Sequence, residues 1–144
     1  MKNLAIARRY AKALLLIGNA HAVVNEVPLA DLQPDPAHRQ ATLIITKVVD
    51  RFHYRKVPLD DALAADILDR YLRSLDPNRS FFSARDVEEF GVHRNTLDDA
   101  LSRADLKPAF DIFKRFRSRV DERVGYAVKL LETNQFDFER DERY

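Results

Sequence analysis

Residues 75–90, LDPNRSFFSARDVEEF, contain the signals that end one helix and begin the next. Pro77 disfavours helical geometry in the residue before it, so a helix that reaches this stretch must end at or just before Asp76. Further on, the sequence Ser-Ala-Arg-Asp fits a capping box, in which the Ser83 hydroxyl accepts from the amide of Asp86 and the Asp86 carboxylate reaches back. The stretch is therefore predicted to connect two helices.

Phe81 and Phe82 lie between these two signals. Adjacent aromatic side chains in a short connection can pack it against the helices, as a hydrophobic staple does. The connection is thus predicted to have a structural function. Six residues are expected to form its turn and its cap: Asp76, Pro77, Phe81, Phe82, Ser83 and Asp86.

The same stretch begins like an EF-hand calcium loop, with oxygen-bearing side chains at its first, third and fifth positions. The similarity ends at the sixth position, where Phe81 replaces the glycine that makes the sharp turn. At the twelfth position, Val87 replaces the bidentate glutamate. Asp86, Glu88 and Glu89 instead suit the first turns of a helix, where the positive end of the helix dipole favours acidic side chains. Calcium binding is not predicted.

The other polar residues predict no catalytic, metal or cofactor site. The histidines lack the i, i+4 spacing that places two ligands on one helix face. The chain has three glycines, and no serine lies in a glycine-flanked turn that would expose it beside oxyanion-hole amides. Four aspartates could pair for acid or base chemistry, but they match the solvent face and first turn of a helix: Asp60, Asp61, Asp66 and Asp69.

The length of 144 residues suits a single domain, which can bury roughly two-thirds of the surface that its unfolded chain would expose. Twenty-four lysines and arginines face 23 acidic residues, and the net charge of +1 predicts no broad field for nucleic acid or an anionic membrane. The absence of cysteine excludes disulfides and thiolate metal sites. No run reaches the eighteen or so apolar residues of a membrane span.

The first 36 residues differ in pattern from the rest of the chain. Residues 1–22 have a basic start, an apolar run and a small-x-small ending, which is the order of a secretory signal peptide. The apolar run is short, so an amphipathic N-terminal helix is the alternative. Residues 23–36 contain three prolines and no helical period, and they are predicted to form an extended linker or arm.

Four helices are predicted from the apolar period in the remaining residues. The first two have complete stripes, with apolar residues at offsets 0, 3, 4, 7, 8 and 11. Asp60 is a candidate cap for the second. The stripes consist of Ala41, Ile44, Ile45, Val48, Val49 and Phe52 in the first helix, and of Ala64, Ile67, Leu68, Tyr71, Leu72 and Leu75 in the second.

The third predicted helix begins at the Ser83 cap and continues past Gly91, which costs roughly 1 kcal/mol of helix propensity relative to alanine. The fourth has Pro108 in its first turn. Their inward residues are predicted to be Val87, Phe90, Leu97 and Leu101, and then Phe110, Phe113, Phe116, Val120, Val124, Ala127 and Leu131. Beyond them, Phe136 and Phe138 alternate with polar residues, which predicts a short extended tail. The predicted fold is all-α, a small bundle of about four helices.

Residues 110–119, FDIFKRFRSR, alternate phenylalanines with basic residues, a composition typical of nucleic-acid surfaces. The phenylalanines have the spacing of a helix face that points to the core, so the basic residues are expected on a solvated face. Nucleic-acid binding between Lys114 and Arg119 stays as an alternative function of a stand-alone helical module. A small enzyme with a carboxylate site at Asp76 and Asp86 is a further alternative.

Residues 67–90, ILDRYLRSLDPNRSFFSARDVEEF, resemble a segment in the N-terminal helical domain of tail-specific proteases, the carboxy-terminal-processing serine peptidases of the bacterial periplasm. The flanks follow the same order, with VDRFHY at 49–54 before the segment and the long helix at 110–131 after it. FDF at 136–138 and DERY at 141–144 continue the resemblance, which covers roughly residues 38–144.

The resemblance implies a large exported enzyme in which this helical domain, residues 37–144, precedes a PDZ domain and a protease domain. A serine nucleophile and a lysine base in that protease domain cut proteins recognised by their apolar C-termini. None of those elements has a counterpart in residues 1–144, so the resemblance implies no catalytic residue here. The chain is expected to be a fragment that serves as scaffold and docking surface, with the rest of the protease, a protein substrate or an adaptor protein as partners.

Overall fold

The computed structural model describes residues 27–54 and 57–133. Within these ranges the chain forms five α-helices and a 3-10 turn at Gly91–His93, with no strand, and the predicted all-α fold is confirmed. The predicted signal peptide and C-terminal extended tail lie outside the described residues. The helices are α1 (Pro36–Phe52), α2 (Asp61–Leu75), α3 (Ala84–Phe90), α4 (Leu97–Ser102) and α5 (Lys107–Thr133).

Helix α2 supplies the centre of the hydrophobic core. Asp60 caps it by accepting from the amide of Leu63 at 2.9 Å. Its predicted stripe is buried except for Leu72, which is partly buried and packs against the core. The Tyr71 hydroxyl donates to the carbonyl oxygen of Ala109 at 3.0 Å, which joins α2 to the first turn of α5. Burial raises the pKa of Tyr71, so this hydroxyl keeps the proton that it donates.

The single third helix predicted from Ser83 to Leu101 is wrong, because the chain bends between two short helices. Helix α3 ends at Phe90, and the 3-10 turn that begins at Gly91 redirects the chain. Amides in the bend bond to turn carbonyls, such as the amide of Arg94 to the carbonyl of Gly91 at 3.1 Å. The bend allows α4 to pack against both α1 and α2, and this packing compensates for the interrupted helix.

The predicted inward face of α1 is wrong in part. Ile44 is 54% exposed and Phe52 is 74% exposed, whereas the buried residue of this helix is Thr42. The Thr42 hydroxyl donates to a carbonyl one turn earlier, which satisfies it inside the protein. Val49 packs against the core, so α1 contacts the bundle through one edge of its apolar stripe. Three residues of that stripe are exposed: Ile44, Val48 and Phe52.

Helix α5 is 27 residues long and spans about 40 Å, but only its first half reaches the core. Phe110, Ile112 and Phe113 are buried there. The prediction of an inward face that continues to the end of the helix is wrong, since Val124 and Leu131 are exposed. The core formed by the shorter helices does not extend along the second half.

The described part of the predicted arm packs against the helices. Asp31 donates its amide to the carbonyl of Pro28 at 3.0 Å, which closes a turn. The turn directs Leu32 into the core, where it is 0% exposed. Helix α1 then begins at Pro36, one residue before the predicted start, behind an Asp35 cap. The arm is therefore held to the bundle by an apolar anchor.

Replacing this anchor tests whether the arm is part of the folded domain. We expect Leu32→Ala to lower the free energy of unfolding by about 2–4 kcal/mol, because it removes a fully buried side chain and leaves a cavity. Leu43→Ala on the more exposed side of α1 is the matched control and should cost less than about 1 kcal/mol. Urea unfolding followed by circular dichroism measures both, and equal losses would contradict the packing of the arm.

Candidate functional site

Residues 76–83, the joint between α2 and α3, are organised around the carboxylate of Asp76. This residue precedes Pro77 and leaves helical geometry, with φ −128° and ψ 74°. Its side chain is buried and turns toward the chain that follows. Its two oxygens accept from the amides of Ser80 at 2.8 Å, Phe81 at 2.8 Å and Phe82 at 3.0 Å. One side chain thus satisfies three successive amides of the joint.

The charge of Asp76 is stabilised by these contacts. Burial raises the pKa of its carboxyl group, but the amides of Phe82, Phe81 and Ser80 lower it by more, and Arg123 adds a favourable charge. The net pKa lies below the ordinary value of 3.8. At neutral pH, Asp76 is therefore an ionised acceptor and not an acid that can supply a proton.

The second buried carboxylate, Asp86, caps α3. Ser83 accepts from the amide of Asp86 at 3.1 Å, and the amide of Ser83 donates to the Asp86 carboxylate at 2.9 Å, so the capping box is reciprocal. The Ser83 hydroxyl also donates to that carboxylate at 2.6 Å. Asp86 is 0% exposed, so this cap lies inside the protein and not at its surface.

Two arginines of α5 close around Asp86 and form what we call the arginine clamp, Arg115 and Arg119. Arg119 binds both carboxylate oxygens, with Nε and Nη2 each at 2.9 Å. Arg115 adds a third contact at 3.0 Å through Nη1. Bidentate guanidinium–carboxylate pairs are strong and fix direction as well as distance. The clamp therefore sets the position of α5 against the first turn of α3.

The clamp also controls the charge state of Asp86. The hydrogen bonds from Arg119 lower the pKa of this carboxyl group far below its ordinary value, against the effect of burial, and Ser83 lowers it further. In return, Asp86 and then Glu122 raise the pKa of Arg119. Glu89 accepts from Arg115 at 3.2 Å on the outer side. Each guanidinium thus has a buried partner and a more exposed partner.

The two phenylalanines of the joint pack on aromatic rings of the helices. Phe81 meets Phe116 edge to face, with ring centroids 5.6 Å apart. Phe82 contacts Phe90 at 5.4 Å and Phe116 at 5.7 Å. Such centroid separations are typical of favourable aromatic pairs. Phe116 lies one residue from Arg115, so α5 contributes both the apolar and the ionic contact to the joint.

The structure brings the predicted turn and cap residues together, but their main partners on α5 were missed. The solvated face predicted between Lys114 and Arg119 is wrong for Arg115 and Arg119, because Asp86 binds them. Arg117 donates to the carbonyl of Val27 at 3.0 Å, so it ties the arm to α5. A usable signal was the i, i+4 spacing of the clamp arginines, which places both on one face.

Neither a metal site nor a membrane span is evident in the part of the chain that the structure describes. Within residues 27–54 and 57–133, no three histidines or carboxylates are grouped so that they could hold a metal ion. In the same ranges, no helix has the length and apolar character needed to cross a bilayer. The geometry at the joint is that of an all-α domain whose buried carboxylates hold its helices together.

The comparisons identify the class to which this domain belongs. Residues 45–144 match the family described as "Tail specific protease N-terminal domain". The chain is also 36% identical over 107 residues to the tail-specific protease of Haemophilus influenzae (strain ATCC 51907 / DSM 11121 / KW20 / Rd). That alignment covers 74% of this chain and 15% of the Haemophilus protein. The chain belongs to the tail-specific protease N-terminal domain family.

Removing the charge of Asp86 tests the clamp. We expect Asp86→Asn to lower the free energy of unfolding at pH 7 by about 2–3 kcal/mol, since an amide accepts less strongly from two guanidinium groups. Removing one partner of a fully buried ion pair costs about 3–5 kcal/mol. The loss expected here is smaller because solvent screens the partly exposed arginines. Glu89→Gln is the matched control at the outer pair and should cost less than about 1 kcal/mol.

The same variant should change the response to acid. Asp86 has a pKa below 3.8 in the folded protein, so the stability it contributes is complete above about pH 4 and is lost as pH falls toward the folded pKa. The stability difference between the wild type and Asp86→Asn should therefore shrink from pH 7 to pH 2. Guanidinium unfolding across this range measures it, and a difference that stays constant would show that Asp86 does not titrate as described.

Removing the Asp76 carboxylate should loosen the joint. Asp76→Ala leaves the amides of Ser80, Phe81 and Phe82 without their acceptor, and we expect a loss of about 2–3 kcal/mol in stability. Asp69→Asn, at an exposed ion pair with Arg94, is the control and should change stability by less than about 1 kcal/mol. Hydrogen exchange should become faster at the three amides by a larger factor than at the centre of α2, where exchange follows only the global loss of stability. Equal changes at both places would contradict this assignment.

Proposed function

We propose that the chain is the non-catalytic helical scaffold and docking domain of a periplasmic tail-specific serine endopeptidase. The family match over residues 45–144 supports a protease-associated domain. Because the alignment covers 15% of the Haemophilus protein, we assign peptide hydrolysis to the part of that enzyme outside the match. The proposed parent enzyme recognises substrates by apolar C-termini and reaches the periplasm through a signal peptide at residues 1–22.

The main support for this proposal is that the two buried carboxylates are ionised and fully hydrogen-bonded. Asp76 and Asp86 were the strongest candidates for acid or base chemistry, and both have a lowered pKa and donors around their oxygens. A general base works best with a pKa near the working pH, which neither carboxylate has. The Ser83 hydroxyl already donates to Asp86 at 2.6 Å, and that carboxylate is too weakly basic to activate it. These groups support a structural role.

The outward apolar residues support a docking role. Ile44 and Phe52 on α1, and Val124 and Leu131 on α5, are large apolar side chains that the described residues leave exposed. Contiguous exposed apolar surface is typical of interaction sites. We assign these surfaces to contacts with the PDZ and catalytic domains of the parent enzyme, or with a substrate or adaptor protein.

A chimera tests the proposed function. In the Haemophilus tail-specific protease, the segment that aligns with this chain is replaced by the corresponding 107 residues of this chain. We expect the chimera to cleave a reporter protein with an apolar C-terminal tail in preference to the same reporter with an acidic tail. The purified chain alone should cleave neither reporter, because its buried carboxylates are structural.

Two variants of the chimera distinguish a structural role of this domain from a catalytic one. Asp86→Asn should lower its melting temperature and its activity together, whereas Ser83→Ala, which keeps the clamp arginines on Asp86, should retain cleavage. Gel-based cleavage and thermal unfolding provide the two readouts. Hydrolysis by the isolated chain that disappears in Ser83→Ala would contradict the non-catalytic role. A folded chimera without activity would contradict the scaffold role.

A further inference from the structure

A groove of about 590 Å³ lies beside the joint, lined by residues from the end of α2 and the start of α3. Its apolar lining includes Leu72, Phe82 and Val87. Val87 was predicted to point inward, but it is 44% exposed and contributes to the groove instead. The volume falls within the range of ligand sites in proteins and is large enough for several side chains.

The rim of the groove carries more positive than negative charge. Arg94 is paired with Asp69, so these two charges balance. Arg73 and Arg79 also line the groove, and neither forms a salt bridge or side-chain hydrogen bond within the described ranges 27–54 and 57–133. The second acidic residue of the lining, Asp76, already accepts hydrogen bonds from three amides. The guanidinium groups of Arg73 and Arg79 are therefore available to bind a negatively charged ligand.

The backbone at Arg79 is a second, independent observation. Arg79 has φ 53°, in the left-handed region that favours glycine or asparagine. A glycine at this position would make the same turn without strain, so the turn does not explain an arginine. Backbone strain of this kind clusters at ligand clamps and switch regions. Ala104 has the same φ of 53° away from the groove, so the position of Arg79 at the groove is what distinguishes it. The side chain of Arg79 at the groove supplies a reason for it.

We propose that this groove binds an extended acidic peptide, whose apolar side chains contact Leu72, Phe82 and Val87 and whose carboxylates pair with Arg73 and Arg79. The proposal rests on the docking function proposed above and specifies the chemistry of one partner. An acidic peptide fits better than nucleic acid. The groove offers two unpaired cations, and the one aromatic ring of its lining, Phe82, already packs on Phe90 and Phe116. The chain also has a net charge of only +1.

Fluorescence anisotropy with the purified chain tests the proposal directly. The probe is a fluorescein-labelled decapeptide of alternating glutamate and leucine, and its neutral counterpart has glutamine in place of glutamate. We expect the acidic peptide to bind, with an affinity that falls as salt rises. The glutamine peptide and the double variant Arg73→Glu/Arg79→Glu should each weaken binding by about tenfold or more. Arg39→Glu/Arg103→Glu makes the same charge change outside the groove and should stay within about twofold.

The variant Arg79→Gly distinguishes a loss of peptide affinity from a loss of folding stability. Glycine adopts a positive φ without strain, so the melting temperature of this variant should stay the same or rise. Its affinity for the acidic peptide should nevertheless fall several-fold, because one cation of the rim is gone. A purely structural role of Arg79 would leave the affinity unchanged, and that result would overturn its assignment as a peptide contact.

Three results would overturn the proposal as a whole. They are the absence of peptide binding up to about 1 mM, equal losses in the groove and control double variants, and tighter binding of a single-stranded oligonucleotide than of the peptide. None of them depends on the chimera, which tests the scaffold function separately. An active chimera combined with failed peptide binding would reject the groove alone, whereas peptide binding combined with an inactive chimera would reject the scaffold function alone.

Discussion

The buried negative charge of Asp86 is the constraint around which the described structure is arranged. A fully buried carboxylate is costly unless charges and donors surround it, and here Ser83 and the clamp arginines meet this requirement. These partners belong to the start of α3 and to the middle of α5. The need to neutralise one side chain therefore determines where a short helix begins and where a long helix lies against it.

The clamp contributes to the specificity of packing more clearly than to stability. The attraction within a buried ion pair is offset in large part by the loss of hydration, so its net gain is often small. Arg115 and Arg119 are one helical turn apart and both bind Asp86, so sliding α5 by a turn would break several contacts at once. Phe116 lies between them and contacts both phenylalanines of the joint. Ionic and aromatic contacts thus select the same register.

Features set by neighbouring residues could be predicted from the sequence, whereas those set by distant partners could not. The cap of α3 depends on Ser83 and Asp86, which are three residues apart, and the all-α fold follows from apolar spacing. The clamp joins residues 29 and 33 positions apart, and no local pattern pairs them. The exposure of Ile44 has the same cause, since an apolar stripe does not specify which edge of it meets the core.

The second half of α5 shows how this arrangement leaves surface for other contacts. Residues 121–132 extend beyond the core, and a separate helix of about 12–15 residues is only marginally stable in water. Continuing an established helix requires no new nucleation, so the buried and clamped first half can support this extension. Its exposed apolar residues, among them Val124 and Leu131, are therefore not explained by packing within the described domain. The docking role proposed above would bury them, and a helix held at its clamped half is well placed to meet another surface.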